Sequence, residues 1–466
     1  MGHQNLEELL GAVGSPVELL RNAQVGPNVY PGVPAEFTNW RDEQIAWQET
    51  CVLYNQTYHM AELMVEGPDA IRLVSHLATN SFATFEPGKA KQFVPCSPDG
   101  FVIGDVILFG LADDRINLVG RAPALNWVTY HAQTGEYKVD LTFDQRTALR
   151  PDLTRRHYRF QVQGPNAMAV LEKALGHEPA DLKFFNMRTE TIAGKQVMAL
   201  RHGMAGQPGW ELFGPYEDHD AVHEALVTAG EEFDMKLVGG RAYGSNAIES
   251  GWIPSPLPAV YTGDALSEYR EWLPPTGYEA SASLGGSFLS SDIEDYYFTP
   301  WDIGYGHLVK FDHDFVGREA LETKAQEKHR TKVTLVLDDE DVTRTLGSML
   351  NPVGERAKFI EWPNAVYSMH QYDDVKVDGE TIGVSTWVCY SANEGKLMTL
   401  GVLDTEYAEP GTEVTFVWGE EGGGTAKPTV ERHVQTELRA VVAPVPIVGA
   451  VRSSYAPDGG WRTARA

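Results

Sequence analysis

The sequence predicts an α+β protein of more than one domain, on three observations. The chain has 466 residues, more than one hydrophobic core usually holds, so two or three domains are expected. Helix-like and strand-like segments are mixed over most of its length. After Lys332 strands dominate, with turn signals such as Asp378-Gly379 and Pro410-Gly411, as in a β-barrel or sandwich. We therefore divide the chain near residues 155 and 330.

The first predicted unit, residues 1–155, begins with a helical pattern over residues 5–21. A Pro/Gly-rich extended arm follows, and it carries Tyr30. The segments Phe101–Phe109 and Ile116–Val119 are rich in β-branched and apolar residues and predict strands.

The second predicted unit, residues 156–330, opens with a strand and turn, YRFQVQGP. A helix is expected over 166–176, a hairpin-like pair over 191–203 and another helix over 219–233. A further helix is predicted over 316–328, and the third unit, residues 331–466, is β-rich. The first and second units could be interleaved, which the sequence leaves open.

Composition excludes several classes of function. The net charge of -27, with no cluster of Lys and Arg, argues against a nucleic-acid partner. The three cysteines lie far apart, which fits a reducing compartment without a disulfide framework. The first twenty residues lack the basic flank and apolar run of a signal peptide, and no apolar run is long enough for a membrane span. We expect a cytoplasmic protein without a membrane partner.

The sequence contains no convincing motif for binding a metal ion or a common nucleotide cofactor. His219 and His223 have the i, i+4 spacing of two zinc ligands, but acidic residues surround them and no third ligand is evident. The run Asp312-His313-Asp314 lies between two phenylalanines and fits an ordered turn. The sequence has no P-loop, no GxSxG elbow and no complete GxGxxG after a strand. We expect no metal.

The stretch Gly239–Trp252, GGRAYGSNAIESGW, places the hydroxyl of Tyr243 among glycines. Glycine permits positive φ and close approach by a ligand, and Ala247, Ile248 and Trp252 have helical spacing for one apolar face. We predict a loop that leads into a short helix with Tyr243 near its start. A plain structural connection would also fit this stretch.

Two charged residues stand in apolar surroundings. Arg121 follows the strand-like run INLVG, where its planar fork could hold a carboxylate; pairing with a surface acid would fit as well. Glu211 lies between Trp210 and Leu212, so its carboxylate needs a donor partner. The N–H groups of a pterin edge would satisfy it, and so would a structural arginine.

Several longer motifs occur in a fixed order: VQGP, GWELFGP, GRAY with ESGW, TPWDIGYGHLVKFDHDFVGREAL, GVSTWVCYS and PGTEV. In this order they resemble the aminomethyltransferase (glycine-cleavage T-protein) superfamily, and within it the tetrahydrofolate-dependent aryl O-demethylases. The resemblance covers nearly the whole chain. It implies a three-domain cloverleaf of two α+β domains, ferredoxin-like or Greek-key, and a C-terminal β-barrel or jelly-roll domain around a central funnel for folate.

The resemblance also implies a role for each matching residue. Glu211 would bind the pterin, Trp252 and Tyr243 would also contact the folate, and Tyr243 and His59 would be the catalytic residues. The aromatic-acid pocket would be lined by Tyr30, Gln56, His59 and Arg121. His59 would orient the substrate ring, and Arg121 would hold its carboxylate.

Two departures refine the expected substrate. Glycine-cleavage T-proteins have an acidic pair where this chain has Gly104-Asp105, which argues against aminomethyl chemistry. Tyr58 stands where vanillate-type demethylases carry histidine, which favours the syringate type. The function implied is methyl transfer from syringate, giving 3-O-methylgallate, to tetrahydrofolate, with vanillate or 3-O-methylgallate as alternative substrates.

The chemistry fits these residue types. Nucleophilic attack on an aryl methyl ether expels a phenoxide, so a donor at the ether oxygen and a methyl acceptor in line are both needed. Another folate-dependent methyl or aminomethyl transferase, or a non-catalytic folate-binding protein, remains an alternative. The expected partners are the small molecules methoxybenzoate and folate, and a homodimer is left open.

Overall fold

The computed structural model describes residues 2–454, apart from residues 28, 150, 151, 153, 205, 255 and 352. In this part of the chain the strands form a five-stranded sheet, a six-stranded sheet, a two-stranded pair and a closed barrel. Helices accompany both sheets, so the α+β class is confirmed. The barrel, rather than a jelly roll, is the form of the β-rich third unit.

The five-stranded sheet has the strand order β3-β4-β5-β2-β6. Its strands are β2 (Ala61–Glu66), β3 (Ala90–Phe93), β4 (Val106–Ala112), β5 (Arg115–Gly120) and β6 (Asp140–Asp144). The helices α4 (Ala70–Leu77) and α5 (Ala122–Thr134) contact it. The strand expected over Ile116–Val119 is confirmed within β5.

The strand expected over Phe101–Phe109 is wrong in its first half. Val102 N–H donates to the carbonyl of Phe298 at 2.8 Å, and Ile103 N–H donates to that of Pro95 at 3.0 Å. Because these backbone groups bond outside the sheet, β4 begins only at Val106.

The six-stranded sheet has the order β11-β1-β7-β10-β9-β8. Its strands are β1 (Val52–Asn55), β7 (His157–Gln163), β8 (Met187–Ile192), β9 (Lys195–Arg201), β10 (Gly209–Pro215) and β11 (Lys236–Val238). The helices α6 (Ala167–Leu175) and α7 (His219–Gly230) pack against it, and β8 and β9 form the expected hairpin. Since β1 pairs with β7 and β11, the chain crosses between the two sheets.

A second crossing follows later in the chain. Buried side chains between Ile253 and Leu321 share one hydrophobic core with the five-stranded sheet. This segment contains α9 (Ser267–Trp272), α10 (Tyr278–Ser281), β12 (Leu284–Gly285) and α11 (Arg318–Lys324). A strand from the first predicted unit thus lies in the six-stranded sheet, and part of the second predicted unit packs with the five-stranded sheet.

The helix expected over residues 5–21 is two helices, α1 (Leu6–Val13) and α2 (Pro16–Asn22). Gly14 ends α1 with a left-handed φ of 80°, and the side chain of Ser15 caps α2 by accepting from the N–H of Glu18. The glycine and the cap divide one apolar pattern between two short helices.

The barrel has the closed order β13-β17-β16-β15-β18-β19. Its strands are β13 (Thr331–Leu337), β15 (Asp373–Val377), β16 (Glu380–Ser391), β17 (Lys396–Leu403), β18 (Glu413–Trp418) and β19 (Thr436–Ala443). The short β14 (His370–Gln371) pairs with β12, which links the barrel to the preceding segment. The remaining helices are α3 (Trp40–Glu49), α8 (Gly240–Ser250), α12 (Asp339–Ser348) and α13 (Gly449–Ser454).

Candidate active site

A cavity of about 1130 Å³ is lined by both sheets, α8 and the first barrel strand. This exceeds the range of roughly 300–1,000 Å³ that is usual for a pocket with one small ligand. The structure brings together every residue that the sequence singled out for the site. The cavity is lined by Tyr30, Gln56, His59, Arg121, Glu211, Tyr243 and Trp252.

Tyr243 is in the first turn of α8, as predicted, and is 8% exposed. Its ring centroid is 4.7 Å from that of Tyr30 and 4.8 Å from that of His59. Gln56 Nε2 donates to Tyr243 Oη at 3.2 Å. Burial, followed by the charges of Tyr30 and Glu211, raises the pKa of the Tyr243 phenol well above its usual value. Tyr243 is therefore a neutral hydroxyl that can donate a proton in a hydrogen bond.

The glycines around Tyr243 serve mainly to let other parts of the chain approach. Of glycines 239, 240, 244 and 251, Gly251 alone has a positive φ, 67°. A Cβ on Gly239 would lie 2.4 Å from the carbonyl oxygen of Ala35, in the arm that carries Tyr30. Gly239 thus holds the arm against the start of α8. Gly251 ends the helix, so Trp252 lies beyond it and not on its expected apolar face.

His59 is a neutral base within a cationic region. Burial, with the charges of Arg146, Arg121 and Arg155, lowers the pKa of His59 to about 3. Its Nε2 atom is buried and has no hydrogen-bond partner among the described residues. Burial raises the pKa of the neighbouring Tyr30 phenol to about 12, although the charge of Arg121 lowers it in part.

Arg121 is the N-cap residue of α5, its side chain does not cap the helix, and it lines the cavity. Its Nη1 atom is buried and has no hydrogen-bond partner within the described part of the chain. An unpaired buried guanidinium N–H is costly, so this geometry suits an anionic ligand. The alternative, pairing with a surface acid, is not what the described residues show.

Arg146 is a second cation in this region that the sequence did not reveal. Burial and the nearby charge of Arg121 lower its pKa, and its Nη2 atom donates to the carbonyl of Val29 at 3.4 Å. Arg146 stands in an ordinary polar stretch, DQRTAL, which gives no signal of a site.

Glu211 is buried in β10 and does have an arginine partner. Arg159 Nη1 lies 3.2 Å from Glu211 Oε1, and His202 Nδ1 lies 3.5 Å from Oε2. Burial raises the pKa of Glu211, but His202 and Arg159 outweigh it and hold the pKa below its usual value. The structural arginine that the sequence left open is thus present. An ionised carboxylate can accept about four hydrogen bonds, so Glu211 retains room for a ligand's donors.

Trp252 is hydrogen-bonded to a further buried carboxylate, that of Asp105, which the sequence did not identify as a site residue. Its Nε1 atom donates to Asp105 Oδ2 at 3.0 Å and is 3.1 Å from Tyr305 Oη. Tyr305 and Gln92 also donate to Asp105 Oδ2, at 2.7 and 2.8 Å. Burial raises the pKa of Asp105, and its Oδ1 atom has no partner among the described residues. The strand-like appearance of residues 101–109 hid this residue, which lies just before β4.

The histidines of the two metal-like motifs, His219 with His223 and His313, contact neighbouring protein groups. The ring of His219 stacks on that of His223 at 5.9 Å, and its Nδ1 atom is 2.8 Å from Asp220. His313 Nε2 contacts the carbonyl of Ala78 at 3.0 Å. No group of three or more His, Cys, Asp or Glu side chains in the described ranges is arranged to hold a metal ion. Among the same residues, no helix has the length and apolar character to cross a membrane.

The chain belongs to the GCVT family, since it matches the family's GCVT N-terminal domain over residues 20–255. The structure resembles the crystal structure of the glycine cleavage system aminomethyltransferase T from Bartonella henselae. The TM-score is 0.60 at 19% identity, covering 93% of this chain and 97% of the other. This likeness confirms the aminomethyltransferase-type fold.

Curated relatives give a finer comparison. The chain is 59% identical to the syringate O-demethylase of Sphingobium sp. (strain NBRC 103272 / SYK-6), covering 99% of this chain and 100% of the relative. It is 29% identical to the sesamin methylene transferase of Sinomonas sp. (strain No.22), covering 84% and 87%. An aminomethyltransferase of Clostridium botulinum (strain Loch Maree / Type A3) is 25% identical, covering 82% and 85%.

Proposed function

We propose that the protein demethylates a methoxylated aromatic acid, best represented by syringate, and transfers the methyl group to tetrahydrofolate. The products are 5-methyltetrahydrofolate and a free phenol, 3-O-methylgallate in the case of syringate. The observation that carries the proposal is the position of the Tyr243 hydroxyl. It shares one cavity with Arg121, whose buried Nη1 atom has no hydrogen-bond partner among the described residues, and with the buried carboxylate Glu211. The 59% identity to a syringate O-demethylase supports the substrate class.

The aromatic acid would occupy the part of the cavity near Tyr30, His59 and Arg121. Arg121 would hold the carboxylate through its guanidinium group, whose buried Nη1 atom has no hydrogen-bond partner within the described residues. The neutral His59, whose Nε2 atom has no partner in the described part of the chain, would hydrogen-bond a polar ring substituent. Tyr30 would pack on the ring, and Gln56 would hold Tyr243 in place.

The chain's polar atoms also fit a folate. A pterin carries adjacent N–H donors, which Glu211 would accept while Arg159 and His202 keep it ionised. Asp105 Oδ1 is a buried acceptor for which the described residues supply no donor, and the indole of Trp252 beside it offers a flat apolar face. The cavity is large enough for two ligands at once. Tetrahydrofolate would supply a nucleophilic nitrogen, N5, as the methyl acceptor.

With the folate held by Glu211 and Trp252, the bond between the methyl carbon and the ether oxygen would break, and tetrahydrofolate would supply the nucleophilic nitrogen that takes up the methyl group. Negative charge develops on the departing phenolic oxygen, where the Tyr243 hydroxyl donates a hydrogen bond. The proton lost from N5 balances the proton gained by the phenolate. A positioned acid contributes about 10²- to 10⁴-fold, and holding the two reactants together adds several kcal/mol more. Glu211, Arg121 and Trp252 provide that positioning.

Alternative functions would use the same folate pocket but need different residues beside it. Another methyl, methylene or aminomethyl transferase would not need Arg121 and His59 in an aromatic pocket, and Gly104 in place of an acid argues against aminomethyl chemistry. A folate-binding protein without catalysis would need Glu211 but not Tyr243. Vanillate and 3-O-methylgallate differ from syringate only in ring substituents and remain alternative substrates. We also expect a cytoplasmic location, and we leave a homodimer open.

The test is incubation of the purified protein with syringate, vanillate or 3-O-methylgallate, with and without tetrahydrofolate. We expect a free phenol and 5-methyltetrahydrofolate in equal amounts, with syringate giving the highest kcat/KM. Phenol formation without folate would contradict the proposed acceptor. Turnover of none of the three acids, in a protein that still binds folate in a titration, would favour the non-catalytic alternative.

A further inference from the structure

Three buried glutamine side chains form a hydrogen-bonded chain behind Tyr243. The NH2 group of Gln56 faces three acceptors: Met204 Sδ at 2.7 Å, Tyr243 Oη at 3.2 Å and Gln161 Oε1 at 3.3 Å. Gln161 Nε2 in turn donates to Gln163 Oε1 at 3.1 Å. Gln56 is 7% exposed, and Gln161 and Gln163 are 0% exposed. The chain of amides therefore begins at the cavity and ends at fully buried side chains of β7, in the six-stranded sheet.

The far end of this chain is fixed by two backbone groups. Gln163 Oε1 accepts from the N–H of Met204 at 2.6 Å, and Gln161 Nε2 donates to the carbonyl of His202 at 3.2 Å. A backbone N–H can only donate and a backbone carbonyl can only accept, so they determine which end of each amide is oxygen and which is nitrogen. Gln161 must then turn its oxygen to Gln56. Gln56 must turn its NH2 group to Tyr243.

This direction decides where the proton of Tyr243 points. Because an amide NH2 group cannot accept a hydrogen bond, the hydroxyl proton of Tyr243 cannot be directed at Gln56 and must point elsewhere. Its other partner among the described residues is the thioether of Met204, with Oη and Sδ 3.7 Å apart. A thioether is a weak acceptor, so an ether or phenolate oxygen in the cavity would readily replace it.

We infer that Gln161 and Gln163 are positioning residues that keep the Tyr243 proton directed at the substrate oxygen. They act through Gln56, and neither of them lines the cavity. Arg159, Gln161 and Gln163 alternate along β7, so their side chains lie on one face of the strand. On this one face of β7, Arg159 pairs with the carboxylate of Glu211, and Gln161 is connected through Gln56 to the hydroxyl of Tyr243. The catalytic meaning of this inference rests on the proposed function, whereas the direction of the amide chain does not.

The kinetic test is Gln161→Met, which keeps the size of the side chain but removes both of its hydrogen-bonding groups. Gln56 is then free to rotate and accept the Tyr243 proton. We expect kcat for syringate to fall about 10-fold, the equivalent of one hydrogen bond, with KM little changed. Gln161→Glu, which when protonated retains an acceptor and a donor at this position, should restore part of the lost kcat.

Two comparisons separate this role from general damage to the fold. Gln371→Met removes a glutamine that is 3% exposed and bonded to Asp373, outside the chain of amides, and should leave kcat unchanged. In a Tyr243→Phe background, Gln161→Met should cause no further loss of kcat, because there is no proton left to direct. An equal loss in both backgrounds, or no loss in either, would overturn the inference.

Neutron diffraction of the deuterated wild-type protein tests the direction itself and needs neither a variant nor turnover. We expect two deuterons on the Gln56 atom that faces Tyr243. An oxygen at that position would overturn the inference even if the protein demethylates syringate. Conversely, two deuterons there in a protein that demethylates no methoxybenzoate would refute the proposed function and leave the amide chain standing.

Discussion

Replacing Arg121 by methionine tests the proposed carboxylate site, because methionine keeps the length of the side chain and removes the charge. Arg121 has a buried Nη1 atom without a partner in the described part of the protein, and its only proposed use is the substrate carboxylate. A hydrogen bond to a charged group contributes about 1.5–3 kcal/mol, which corresponds to a rise in KM of about 10- to 150-fold. Because the carboxylate is remote from the methyl group, kcat should change less.

The assay measures KM for syringate and for its analogue 2,6-dimethoxyphenol, which lacks the carboxylate. The wild-type protein should prefer syringate, and Arg121→Met should lose most of that preference. Arg115→Met is the matched control: Arg115 starts the strand that ends before Arg121, but it is exposed, and its ion pair with Glu66 is long, at 3.9 Å. A KM for syringate that stays at the wild-type value in Arg121→Met would refute the carboxylate contact of Arg121.

Three further predictions concern the rest of the site. Tyr243→Phe should lower kcat by about 10²- to 10⁴-fold while syringate still binds, since it removes the donor at the departing oxygen; near wild-type turnover would exclude that role. Glu211→Gln should weaken tetrahydrofolate binding about 10-fold or more in a calorimetric titration, because a charged acceptor is lost; an unchanged Kd would exclude the pterin contact. Because the folded-state pKa of His59, about 3, lies below the usual 6.5, the unfolded chain binds more protons between these values. The free energy of unfolding should therefore fall as the pH is lowered from about 6.5 towards 3, and His59→Asn should flatten this dependence in denaturant titrations.

The residues that the sequence could identify are those whose surroundings are local. Glu211 stands between two apolar neighbours in a strand, and Tyr243 stands among glycines that begin a helix. Such positions are visible in a short window, and the ordered motifs of the family extend the same information to Tyr30, Gln56 and His59. The β-rich end of the chain could be predicted for a similar reason, since turn signals recur between its strands.

The residues that the sequence missed depend on contacts between distant segments. Arg146 becomes important only because the fold brings it near Arg121, and Asp105 only because Trp252 donates to it. The alternation of Arg159, Gln161 and Gln163 was present in the strand YRFQVQ. Its meaning required the backbone of residues 202–204, which gives the amides their direction.

Local competition explains the errors in secondary structure. The apolar run from Phe101 has the composition of a strand, but the carbonyls of Pro95 and Phe298 take its first N–H groups. In the first helical segment, Gly14 and Ser15 stop one helix and start the next. The glycines before Tyr243 were expected to make room for ligands, yet Gly239 makes room for the arm that carries Tyr30.

The most direct test of the proposed function is to follow the methyl group itself. Syringate labelled with ¹³C in its methoxy groups is mixed with the protein and tetrahydrofolate, and the products are read by NMR. We predict one labelled methyl group on N5 of the folate for every phenol released, and none in the Tyr243→Phe variant on the same timescale. Label appearing as methanol or formaldehyde, or phenol released without labelled 5-methyltetrahydrofolate, would contradict the account.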